Sequence, residues 1–79
     1  MPLPEMHAVK SSNLAKVGHH GESLYVQFHP SKKDPMGAVW RYWPVASSHL
    51  EALRGAPSPG GYFIANVKTA SGVSAEKVS

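Results

Sequence analysis

Residues 23–29 (SLYVQFH) alternate cleanly, with Leu24, Val26 and Phe28 on one side and Tyr25, Gln27 and His29 on the other. That is the pattern of a half-buried antiparallel strand. The preceding NLAKVGHH predicts a first strand over about residues 13–20, with Ala15 and Val17 on one face and Leu14 and Lys16 on the other. Gly21, Glu22 and Ser23 make the turn between them. After PSKKDPMG, which reads as a long hairpin loop, AVWRYW (38–43) forms a third strand. Period two divides its side chains into Trp40 and Tyr42 on one face and Val39, Arg41 and Trp43 on the other. Pro44 has no N–H to donate and ends the ladder.

The periodicity then changes. SSHLEALRG predicts one short helix over about residues 48–54, with Ser48 and Glu51 spaced as a capping box, Leu50 and Leu53 as the apolar stripe, and Gly55 as the stop. APSPGG reads as a turn. The next segment, 62–68 (YFIANVK), is apolar enough to pack on the sheet as either a strand or a helical turn. The expected fold is α+β: a small three-stranded antiparallel sheet (13–20, 23–29, 38–43) covered on one face by a helix and by 62–68. The expected domain is 7–68, with 1–6 and 70–79 as flexible tails.

Composition narrows this picture. A chain of 79 residues buries only about 60% of the surface that its unfolded form exposes. With no cysteine it has neither disulfides nor thiolate metal ligands, which favours a cytoplasmic location. The opening MPLPEMHAVK lacks the apolar run of a signal peptide, and no stretch approaches membrane-span length. Eight Lys and Arg against five Asp and Glu give a net charge of +3, spread along the chain rather than gathered in one block.

Catalytic chemistry finds no foothold. Of the carboxylates, Glu5 and Glu76 fall in the expected tails, Asp34 in a loop, and Glu51 in the predicted cap. No pair held at a fixed separation emerges, and no serine lies in a G-x-S-x-G elbow. The five histidines (His7, His19, His20, His29, His49) include an adjacent pair, His19 and His20, which a strand points to opposite faces. They do not supply the three or four converging ligands that zinc requires. The expectation is a non-enzyme without metal or cofactor.

The order of features does resemble a known family. SSN (Ser11 to Asn13) leads into a strand ending near Gly18, followed by L-x-V-x-F (Leu24, Val26, Phe28) and an aromatic-x-aromatic strand (Trp40, Tyr42). Val45, a short helix with Leu53, A-P-S-x-G-x-Y-F (Ala56 to Phe63) and Lys68 complete the series. Over roughly residues 9–68 the chain resembles the KTSC domain family, named for the C-terminus of some lysyl-tRNA synthetases and also found as stand-alone bacterial and phage proteins. The resemblance implies a fold and a core role for Trp40 and Tyr42, but no catalytic activity. Three positions depart from the pattern: the HPSKKDPMG loop is longer, Ala46 replaces the usual proline, and Ile64 the usual asparagine.

The second sheet face then carries the functional expectation. It combines Tyr25, Gln27, His29, Arg41, Trp43 and Lys16, flanked by Lys32 and Lys33 in the 30s loop. Trp, Tyr and Arg dominate protein-binding hot spots, so the leading expectation is a non-catalytic module that binds a protein partner, with a phage or prophage regulatory role as a suitable setting. Rings with cations also suit RNA or DNA, where bases stack and phosphates are held. A third expectation is a homodimer paired through an exposed edge strand.

Overall fold

The computed structural model describes residues 4–11, 14–35 and 37–78. The expected strand start at Asn13 lies outside the described residues. The alternating segments form β2 (Leu14–His20), β3 (Ser23–Phe28) and β4 (Val39–Trp43). Two further strands, β1 (His7–Ala8) and β5 (Ser74–Lys77), flank them in an antiparallel sheet of order β1-β2-β3-β4-β5. The sheet therefore has five strands rather than the expected three, and the α+β class is unchanged. Both additions are short edge strands of mostly exposed residues, which leave almost no hydrophobic alternation to read.

Register assigns the faces. Leu24 pairs with Tyr42 and Val26 with Trp40, while Val17 faces Val26. Strict alternation would place Leu14 opposite to Val17, yet both are fully buried. An irregularity between Leu14 and Lys16 adds one residue to β2 and returns Leu14 to the core side, paired with Phe28.

Two helices cover that side. Helix α1 (Ser48–Gly55) buries Leu53. The expected capping box does not form: Ser47 is the cap residue with no side-chain bond, and Glu51 approaches Arg54 at 3.8 Å instead. Backbone bonds from His49 to Ala46 O and from Leu50 to Ser47 O tighten the helix entry, so no side chain is required there.

The apparent SPGG turn is the start of helix α2 (Pro59–Phe63). Ser58 Oγ accepts from Gly61 N at 3.3 Å, and Pro59 occupies the first turn, where its missing N–H costs nothing. The chain continues as a wide helical turn over Ile64–Lys68, closed by the Thr69 N–H reaching Ile64 O at 3.2 Å. Segment 62–68 is thus helical. Phe63 and Val67, four residues apart, are buried with Leu14, Val17, Leu24, Val26, Tyr42, Val45 and Leu53. The Phe63 ring meets Tyr42 edge-on at 5.1 Å and Phe28 at 6.1 Å.

Side-chain bonds tie the layers together. His19 Nε2–H donates to Val45 O at 2.6 Å, while Val45 N–H donates to Glu22 O at 2.7 Å, fixing the exit from β4. His49 Nδ1 and the Tyr62 hydroxyl, 2.8 Å apart, link α1 to α2.

The second face has its own cover. A Cβ added at Gly18 would lie 2.6 Å from Glu5 O and 2.7 Å from Met6 Sδ, so residues Pro4–Met6 run as a strap directly over β2. Gly18→Ala is expected to lift this strap and to cost about 1–3 kcal/mol, the usual range for overpacking. Removing residues 1–6 should abolish most of that cost, a coupling readable from urea denaturation of the two single changes and the combination.

Candidate functional site

On the strap side, the register row Gly18–Tyr25–Arg41–Glu76 crosses four strands. Tyr25, expected as an open ring, is buried at 8% exposure beside the strapped Gly18. Arg41 and Trp43, next but one on β4 and expected on one face, do meet. The guanidinium carbon lies 4.0 Å from the Trp43 ring centroid, a stacked cation–π geometry. Both are half-buried, and Arg41 Nε is buried with no hydrogen-bond partner among the described residues. Glu76 stands opposite Arg41 in register, yet no ion pair joins the two.

The remaining candidates spread out. Lys16 is exposed opposite the half-buried Gln27. His29 lies past the end of β3, where its Nε2–H reaches Ser11 O at 2.8 Å. Lys32 and Lys33 are exposed at the loop tip. That loop is fastened rather than free: Asp34 O accepts from Ser31 and Gly37, and its carboxylate takes Lys77 Nζ at 2.8 Å. Among the described residues no three His, Asp or Glu side chains gather in a metal-binding group, and no helix is long and apolar enough to cross a membrane.

The helix side holds a feature that sequence reasoning missed. The two helices leave the β5 end of the sheet uncovered, and a groove of about 470 Å³ opens there, lined by Phe28, Trp40, Tyr42, Lys68 and Ala75. Tyr42 is core, as expected, whereas Trp40 is half-buried and forms part of the groove wall. Desolvation by burial holds the Tyr42 hydroxyl protonated above its ordinary range. The sequence carries Trp40 and Tyr42 plainly; the groove also needs Ala75 from an unforeseen strand and Lys68 from a helical turn.

The aromatic-x-aromatic centre of β4, the helix that follows it and the Tyr62–Phe63 pair that closes the core are accompanied by a match of residues 10–70 to the family model for the KTSC domain. The chain belongs to the KTSC domain family. No curated protein matches it. The KTSC match encloses β2, β3, β4 and both helices; the strap, β1 and β5 lie outside it. Ile64, which replaces the asparagine usual in KTSC sequences, is 43% exposed on the wide helical turn.

Proposed function

We propose that this KTSC domain is a non-catalytic interaction module that binds a protein partner through Arg41 and Trp43, with Lys16, Lys32 and Lys33 on its margin. The observation that supports the reading is the Arg41–Trp43 stack with an unpartnered, buried Nε. A buried donor without an acceptor costs about 1–3 kcal/mol, and a partner that draws Arg41 outward and offers Nε a carboxylate or carbonyl would recover that. Stacking on Trp43 fixes the guanidinium before the partner arrives, which lowers the entropy lost on binding. A protein fits better than RNA or DNA because Tyr25 is buried, so few rings remain on this face for base stacking and Arg41 already covers Trp43. The reading extends to a cytoplasmic protein acting as a phage- or prophage-type regulator.

Affinity capture from an extract of the native host tests it, with Trp43→Ala as the control bait. Trp43→Ala should lose the captured protein by roughly 30-fold, the measure of a hot-spot residue, while its thermal midpoint stays near that of the parent. Equal capture by both baits would overturn the proposal. Recovery of a salt-labile nucleic acid in place of a protein would turn the assignment to RNA or DNA.

A further inference from the structure

Strand β5 has a neighbour on one side only among the described residues, and all four of its residues are exposed. Hydrogen-bonding phase along it follows from one bond: Val78 N–H donates to Val39 O at 2.8 Å. In an antiparallel ladder that phase alternates, so Glu76 and Ser74 also address β4, while Ala75 and Lys77 turn their N–H and C=O groups to the open edge. Ala75 and Lys77 are also the β5 residues whose side chains lie on the groove side, opposite Tyr42 and Trp40. The small Ala75 side chain leaves the groove open at the edge. Free hydrogen-bonding groups and an aromatic slot therefore coincide in one place.

Charge selects the occupant. Lys68 lines the groove, is exposed, and has no ion-pair or hydrogen-bond partner among the described residues, whereas Lys77 is engaged with Asp34. We infer that β5 and its groove form a second docking site, which takes an extended segment of a partner protein as a sixth strand. That segment places an apolar side chain between Trp40 and Phe28 and a carboxylate against Lys68. Strand addition supplies affinity through the backbone and specificity through alternate side chains. The site lies on the opposite face from the Arg41 and Trp43 side chains, which take no part in it, although their backbones pair with Glu76 and Ser74 of β5.

The test pans the full-length protein against a displayed library of short linear peptides and measures the selected peptides by fluorescence anisotropy. Two variants target the edge. Ala75→Pro deletes an outward N–H while sparing the bonds to β4, and Ala75→Leu keeps that N–H but fills the groove mouth. Far-ultraviolet dichroism and thermal melts establish which variants remain folded. Selected peptides should carry an apolar and an acidic residue two apart, so that both face the groove, and bind either folded Ala75 variant at least about tenfold more weakly. They should lose their acidic preference with Lys68→Glu and bind Trp43→Ala as they bind the parent. Failure to enrich any peptide, or peptides indifferent to both Ala75 variants, overturns the inference. Peptides held by Trp43 instead overturn it while leaving the Arg41–Trp43 reading standing. A dimer that Ala75→Pro dissociates would make the occupant a second copy, and displacement of the peptides by oligouridylate would make it nucleic acid.

Discussion

Phe63→Ala is expected to lower the unfolding free energy by about 3–5 kcal/mol, the range for deleting a buried aromatic ring. Phe63 is 1% exposed and stands where helix α2 meets the sheet, edge-on to both Tyr42 and Phe28. Its removal takes away the transfer free energy of the ring and two aromatic contacts, and leaves a cavity between two layers that cannot easily close. A chain of this length has a total stability of about 4–12 kcal/mol. The loss is therefore a large fraction of the whole, and the thermal midpoint should fall by roughly 15 °C or more. Phe63→Leu keeps most of the volume and should cost less than half as much. Urea denaturation of the three proteins checks the order; equal midpoints would mean that Phe63 does not join the layers.

Gly37→Ala is expected to cost about 2–3 kcal/mol from backbone strain and crowding together. Gly37 has φ +85°, and a Cβ there would lie 2.5 Å from Phe28 O, an atom of the β3 backbone that cannot swing aside. The same position closes the long loop: Gly37 N–H donates to Asp34 O, and Phe28 N–H donates to Ala38 O next door. Gly21 supplies the internal comparison, since its φ of +63° is also left-handed but nothing lies within 4 Å. Gly21→Asn should be nearly neutral, because asparagine tolerates that conformation and has room there. If the two substitutions cost the same in chemical denaturation, crowding at Phe28 contributes nothing.

The parts of the fold that were legible are those that bury a regular pattern. Strands β3 and β4 and helix α1 follow directly from periods of two and near four, and the outward placement of Arg41 and Trp43 follows with them. Strand β2 was legible as a strand, but its faces were not, because the extra residue between Leu14 and Lys16 leaves no mark on the residue types. The capping box fails for a related reason: a Ser–Glu spacing is permissive, and the backbone bonds of His49 and Leu50 N–H to Ala46 O and Ser47 O meet the need first. Helix α2 contains two glycines and a proline, which local propensity reads as a turn; burial of Phe63 and Val67 overrides that preference. The strap over Gly18 and strand β5 are recognised only by what they lie against. The pattern therefore puts Tyr25 on an open face that the chain covers itself, and the groove, which needs Ala75, leaves no mark in that pattern.

Sequential strand order conceals a large inequality among the connections. Two residues, Gly21 and Glu22, join β2 to β3, whereas residues 44–73, carrying both helices, separate β4 from β5. Closing the longer loop costs roughly 2 kcal/mol more in chain entropy, against a gain from four exposed residues and the surface ion pair of Lys77 with Asp34. β5 is thus a clasp, the strand whose pairing closes the longest connection in the sheet. A peptide seated along it would lock the clasp as it bound, so occupancy and the order of this end of the domain would rise together.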